Sequence, residues 1–420
     1  MAGMQSIDTE KAREFAAQTV SKLRKAGFLS YWAGGCVRDH HLQKTPKDYD
    51  VATNAVPDEI RKLFGKRRTL AIGESFGVIT LIGSKDQGNI EIATFREDIS
   101  YSDGRRPDRV TYSTPEIDAH RRDFTINGMF LDPTTMETID YVGGLVDLES
   151  RLIRAIGDPV ERFDEDKLRI FRAIRFATTL AFDIEPNTLS AVRKYADNLS
   201  QVSRERILVE LQKTISSPHR TRGIQLLYET GILPYVLPGT MVDEQSIELV
   251  KALLTRLPID DTALSLTAIY RALAPESPAG DVRKTIKSMK ASNDIATAVF
   301  WMLQNVEHLM NAHNKPWPLI QRLLVDPLGP RTLQLADALA TASNLCRDGI
   351  VFCEQKLQLC HTELNPEAFL KGADLIELGM TPGQAFSKVL AAVRDAQLLG
   401  EITTPEDARK MAQEIYSSYL

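Results

Sequence analysis

"YWAGGCVRDHHLQKTPKDYDVAT", residues 31–53, sets two adjacent glycines ahead of an Arg-Asp pair, with two aspartates one residue apart behind them. Gly34 and Gly35 follow a short apolar run and lead into "CVRDHHL", the pattern of a strand turning into a helix. N–H groups exposed at such a turn bind phosphate, and glycine lets the phosphate come close. Arg38 adds a planar positive fork for the same phosphates. Asp48 and Asp50 stand at i and i+2, which on a strand puts both side chains on one face, roughly 6–7 Å apart. Two such carboxylates suit one or two hard divalent cations, and Mg²⁺ favours sparse carboxylate sites completed by substrate phosphates. An isolated Asp-X-Asp is usually a solvated acidic edge. Beside the glycine turn and Arg38 it reads as a site for a metal-bound nucleoside triphosphate. Glu91, the one charge in the apolar run "NIEIATF", is either a third carboxylate toward the metal or a residue on a wet strand face.

The rest of the chain is compatible with that chemistry. At 420 residues it is long enough for about two to four domains and a sizeable core. Apolar residues make up 43% and charged residues 25%, ordinary values for a globular protein. No apolar run approaches the ~18 residues of a membrane span, and "MAGMQSIDTEKAREF" lacks a signal pattern, so the expectation is a cytoplasmic protein without a membrane partner. The net charge of −5 advertises no general polyanion-binding surface, which leaves local basic clusters such as "GKRRT" (65–69), "GRRPDR" (104–109) and "SRERI" (203–207). Cys346, Cys353 and Cys360 recur every seven residues, about 10 Å of helix, too far apart to share a metal; they are expected to be buried small hydrophobes on one helix face.

Glycine numbers 13 in residues 1–150 and 11 in the remainder, and the strand-like runs "SFGVITLIG" (75–83) and "NIEIATFR" (89–96) lie in the first part. "TEKAREFAAQTVSKLRKAG" predicts an amphipathic helix ending at Gly27, and "PDEIRKLFG" another with Pro57 in its first turn. Beyond residue 150 the periodicity is helical, broken by Pro and Gly near 231–239, 274–280 and 326–330. The pattern predicts an α+β domain followed by a long helical region.

Four further segments follow "GGCVRD…DYD" in order: "RRDFTIN" (121–127), "DYVGGLVDL" (140–148), "EDKLRIFRAIRF" (165–176) and "RERILVEL" (204–211). In type, order and spacing the set resembles the bacterial-type (class II) tRNA nucleotidyltransferases, the CCA-adding enzymes, with their poly(A) polymerase relatives. The resemblance implies a polymerase-β-like catalytic head (1–148), a helical neck that recognises the base (149–215) and a helical body and tail that bind tRNA (216–420). It implies Mg²⁺ on Asp48 and Asp50, and CTP and ATP as substrates. Arg122, Asp123 and Asn127 would contact ribose and triphosphate, Asp123 reading the 2′-hydroxyl. Gly143 and Gly144 would form the head–neck hinge, and Glu165, Asp166, Arg169 and Arg172 would line the nucleotide site. No protein partner is implied. The family's alternatives are A addition alone or poly(A) synthesis. A rival class, a nucleotide-sensing or RNA-binding protein with a dead transferase head, would be expected to lack a metal aspartate, and both are present.

The fourth segment can also be read from its chemistry. Asp164 is a candidate helix cap, with Glu165 and Asp166 in the first turn and Asp166 and Arg169 on one face. The bland reading is a surface ion pair. The functional one is a base-reading pair, because Asp166 accepts hydrogen bonds and Arg169 donates them. Cytosine and adenine each present an amino donor beside a ring-nitrogen acceptor, which matches. Uracil and guanine present a carbonyl beside an N–H, so acceptor meets acceptor and donor meets donor. No histidine is needed. The segment "FREDISYSDGRRPDRVTY" (95–112) is expected to be a mobile loop, which in this family accompanies addition of the terminal A.

Overall fold

The computed structural model describes residues 7–72, 76–99 and 109–418. They form two compact units, 1–238 and 239–420. The predicted first helix is α1, Thr9–Lys25. Asp8 caps it by accepting from the backbone N–H of Glu10 and Lys11, and Ala12, Phe15, Ala16, Thr19, Val20 and Leu23 make its buried stripe. Gly27 ends the turn at φ 91°.

A seven-stranded sheet follows, from β1 (Ser30–Ala33), β2 (Asp50–Thr53), β3 (Thr69–Leu70), β4 (Val78–Ile82) and β5 (Asn89–Thr94) to the later β8 (Phe130–Leu131) and β9 (Thr138–Ile139). Between β1 and β2 lies α2 (Gly35–His41), and after β2 lies α3 (Pro57–Phe64), which ends at Gly65 as its sequence predicts. The strand order is β3-β4-β5-β2-β1-β8-β9, and β2 with β5 is its parallel pair. Residues 95–112 are not simply a loop. Strands β6 (Arg96–Ile99) and β7 (Arg109–Tyr112) pair antiparallel as a ribbon, while 100–108, with most of "GRRPDR", lie outside the described residues.

Helix α4 (Pro115–His120) and a short turn, Thr125–Asn127, lead to β8 (Phe130–Leu131) and β9 (Thr138–Ile139). Helix α5 (Gly144–Glu149) starts at Gly143, whose φ of 77° needs glycine. A two-stranded parallel pair, β10 (Leu152–Ile153) with β11 (Asp183–Ile184), brackets α6 (Pro159–Glu165) and α7 (Leu168–Leu180). Here the structure corrects the expected helix. Asp158 caps α6 and Pro159 opens it, so Asp164 and Glu165 stand at a helix end and Asp166 lies in the extended break before α7. The remainder of this unit is helical: α8 (Pro186–Lys194), α9 (Arg204–Ile215), α10 (Arg220–Glu229) and α11 (Leu233–Val236).

The second unit, α12 (Glu244–Arg256) to α22 (Pro405–Ser417), is all helical among the described residues. The breaks foreseen near 274–280 and 326–330 separate Thr262–Leu273 from Ala279–Ser288, and Trp317–Val325 from Gly329–Ala342. The C-terminal helices carry their own core of Leu370, Leu375, Met380, Val389, Val393, Ala408 and Ala412. The cysteine expectation fails for two of three. The helix Asp348–Leu357 holds only Cys353, which is buried; Cys346 and Cys360 flank it and are exposed. Among the described residues no helix is long and apolar enough to cross a membrane.

Candidate active site

The site begins at the end of β1. Antiparallel pairing sets Ala33 opposite Asp50, so the partner of Asp48 would be Gly35, which already belongs to α2. Strand β2 therefore starts at Asp50, and Asp48 lies before the strand rather than on it. The alternation persists all the same. Asp48 and Asp50 are exposed, and Tyr49 between them is buried with its ring 4.8 Å from that of Trp32. On the other side of β2, parallel pairing sets Glu91 in register with Asp50, and Glu91 is exposed too. Neighbouring positions in a ladder point to the same face, so Glu91 stands beside Asp50.

This crowding has an electrostatic effect. Although Asp50 is exposed at the surface, the protein atoms packed around its carboxyl strip away part of its hydration. This, then the charge of Glu91 and to a lesser degree that of Asp48, pushes the carboxyl up to about 6 against the opposing pull of Arg122. The acids carry more negative charge than the nearby guanidinium offsets. Hard oxygen donors with surplus negative charge are what a Mg²⁺ ion needs, so the residues fit the ion. Among the described residues no group of three or more His, Cys, Asp or Glu side chains is gathered closely enough to hold a metal ion.

Gly34, buried at φ 74°, is the tight point of the turn: a Cβ there would lie 3.3 Å from Nη1 of Arg122. Arg122 is held by Asp118, which is 1% exposed on α4 and takes Arg121 on one carboxylate oxygen and Arg122 on the other. Burial opposes the charge of Asp118, but the two guanidiniums outweigh it and keep its carboxyl below the usual range. Arg122 Nη1 also donates to the carbonyl of Asn127. Asp118 was not anticipated, although an acid three and four residues ahead of "RR" is a legible helix-face signal.

A continuous set of bonds then runs from the turn to α7. Arg38 donates to Asn127 Oδ1 at 2.8 Å, and Asn127 Nδ2 donates to Asp123 Oδ1 at 3.2 Å. Asp123 Oδ2 accepts from Arg172 through Nε at 2.9 Å and through Nη2. Burial would raise the Asp123 carboxyl, but Arg172 leads the groups that bring it down to about 2. The five predicted residues of this set, Arg38, Arg122, Asp123, Asn127 and Arg172, thus lie together with Gly34 and Gly35.

Asp166 and Arg169 come close without pairing through their side chains. Asp166 accepts from the backbone N–H of Leu168 and from Arg206 at 2.6 Å, while Arg169 donates to Glu165 at 2.7 Å and to the carbonyls of Arg162 and Arg121. Arg169 is 8% exposed, so the surface-pair reading does not hold. Arg206 belongs to "SRERI", one of the basic clusters, and its charge is spent inside this unit. Asp140 was also missed as a local organiser. Its carboxylate accepts from the N–H groups of Val142, Gly144 and Leu145 and so fixes the turn at Gly143.

A mixed sheet presenting carboxylates beside a glycine turn, backed by a guanidinium network on the following helices, defines a nucleotidyltransferase head. Residues 30–154 match the Poly A polymerase head domain, and residues 181–243 match a family described as the probable RNA and SrmB-binding site of polymerase A. The CCA-adding enzyme of Latilactobacillus sakei is 33% identical, over 95% of this chain and 98% of its own length. The crystal structure of the Bacillus stearothermophilus CCA-adding enzyme in complex with CTP superposes with a TM-score of 0.75 at 25% identity, covering 97% of this chain and 98% of that one. The Thermotoga maritima CCA-adding enzyme complexed with tRNA-CCA shares the fold, with a TM-score of 0.67 at 19% identity and coverage of 98% and 99%. The chain belongs to the CCA-adding enzyme family, and is an enzyme of the nucleotidyltransferase class.

Proposed function

We propose that the protein adds CMP and AMP residues to the 3′ end of tRNA from CTP and ATP, releasing pyrophosphate, in the cytoplasm. The observation that carries this reading is the unbroken network from the Gly34 turn through Arg38, Asn127 and Asp123 to Arg172, which ties a phosphate-binding element to a base-reading one. The relatives named above carry the same activity in their names, and two were solved with CTP and with tRNA-CCA.

In this reading residues 1–148 are the catalytic head, 149–215 the neck that reads the base, and 216–420 the body and tail that hold tRNA. Asp48 and Asp50, with Glu91 beside them, hold Mg²⁺. When bound, the ion lowers the pKa of the attacking 3′-hydroxyl and draws charge from the leaving phosphates. The N–H of Gly35, with Arg38 and Arg122, orients the triphosphate for in-line attack; the N–H of Gly34 is not available for it, since it donates to the Met129 carbonyl. Asp123, kept ionised by Arg172, accepts from the ribose 2′-hydroxyl, and Asn127 steadies it. Asp166 accepts from the amino group of cytosine or adenine, and Arg169 donates to the adjacent ring nitrogen. Glu165 and Arg206 hold that pair in place without a nucleic-acid template.

The test incubates purified protein and Mg²⁺ with tRNAs lacking one, two or three terminal nucleotides, each nucleotide supplied alone and in mixture, with product length read on a gel. CC from CTP followed by a single A from ATP is the expected outcome. Extension only of tRNA ending in CC, or a run of A, would assign A addition or poly(A) synthesis instead.

A further inference from the structure

Phe176, near the middle of α7, is 5% exposed and lies among three guanidiniums. The Arg175 carbon is 3.4 Å from its ring centroid, and those of Arg38 and Arg172 are each 5.4 Å away. Phe124, inside "RRDFTIN", meets the same ring edge-on at 5.7 Å. The ring therefore touches the helix after the glycine turn, the segment that contains Asp123, and α7 itself. Three like charges gathered at one point repel one another. Each has an acidic or polar partner elsewhere: Arg38 with Asp39 and Asn127, Arg172 with Asp123, Arg175 with Glu210. What the three share is the π-cloud of Phe176. An aromatic face attracts a guanidinium through its quadrupole, and does so most strongly away from water. An aliphatic side chain of similar size would fill the space but remove the attraction that the three guanidiniums share.

We propose that Phe176 is a positioning residue for the incoming nucleotide, holding Arg38 on the triphosphate side and Arg172 on the ribose side at one fixed separation. The ring does not touch substrate. It acts by setting where two guanidiniums point, so that one binding event engages both. This rests on the reading that Arg38 and Arg172 serve the nucleotide site.

The experiment replaces Phe176 with 4-fluoro-, 3,5-difluoro- and pentafluorophenylalanine in the full chain, which weakens the ring quadrupole stepwise while nearly preserving its shape. Dissociation constants for CTP and for tRNA, and KM and kcat for addition, are measured for each. The expected result is a stepwise loss of CTP affinity reaching about tenfold, carried in KM, with tRNA affinity unchanged. Phe176→Leu should fall at the weak end of the series. A flat series would overturn the proposal and leave Phe176 as packing alone. Arg38→Met and Arg172→Met are run alongside. If neither weakens CTP binding, the nucleotide-site reading fails, a result distinct from a flat series with weakened arginine variants.

Discussion

Asp118 is nearly sealed from solvent and carries two arginines, so its removal leaves both short of a partner in a crowded site. Asp118→Ala should lower stability by about 2–3 kcal/mol and cut kcat/KM for CTP and ATP, read by denaturant titration and steady-state kinetics. Asp123 gives a pH signature. Its carboxyl is depressed from 3.8 to about 2 in the folded protein, so its contribution is present above its ordinary pKa and is lost as pH falls through about 2. Acid unfolding of wild type followed by circular dichroism should show a loss on the order of 2 kcal/mol across that window, absent from Asp123→Asn. Asp166 tests selectivity. Asp166→Ala removes the acceptor that, in the function proposed above, cytosine and adenine use and that repels uracil and guanine. Incorporation of CTP and ATP should weaken by roughly 1–3 kcal/mol while UTP and GTP lose far less, read as kcat/KM ratios in single-nucleotide assays. Undiminished preference for CTP and ATP would mean the bases are read elsewhere.

At the scale of elements, Gly144 shows how a turn and a packing contact can be confused. The Gly-Gly pair reads as a hinge, yet a Cβ on Gly144 would lie 2.4 Å from the Thr125 carbonyl oxygen and 2.8 Å from Met129. Gly144→Ala should therefore destabilise the protein by about 1–3 kcal/mol, visible as a lower thermal midpoint, whatever its effect on catalysis. Local chemistry made α1 and α3 legible, because caps, apolar spacing and terminal glycines all act within a turn or two. The same logic misplaced the start of α7 and overlooked α6. "FDEDK" has the acids of a helix start, but "GDP" upstream opens the helix at Pro159 and makes those acids its end. The glycine turn and the Asp48–Asp50 spacing were legible because each works within a few residues. The placement of Glu91 beside Asp50 was not. It depends on parallel pairing of β2 and β5, a register that no local pattern encodes. Arg206 escaped for a related reason, since it reaches Asp166 across the fold. By contrast, the guanidiniums that Asp118 holds and the N–H groups that Asp140 engages lie only two to five residues away and left a local signal.

Across the whole molecule, the described nucleotide-site residues belong to the unit 1–238, and the second unit has a separate helical core. Chemistry and fold stability should therefore separate in variants of the metal carboxylates. Asp48 and Asp50 are exposed, and Asp50 carries charge that its neighbours oppose. Asp48→Ala and Asp50→Ala should each cost orders of magnitude in turnover while the thermal midpoint and tRNA affinity stay near wild type. A double variant that still extends tRNA would remove these carboxylates from the reaction.

The parallel alignment of β2 with β5 also bears on how the protein comes into being. Strands β4 and β5 are joined by a short connection, and β1 and β2 pair across α2, so each partnership can form from neighbouring chain. Joining the two halves closes a longer loop, a contact of the kind that forms late in folding because its entropic cost precedes its reward. Asp50 and Glu91 meet only at that closure. Until that pairing forms, Glu91 stays apart from Asp50, so the proposed cation cradle would be completed together with the sheet.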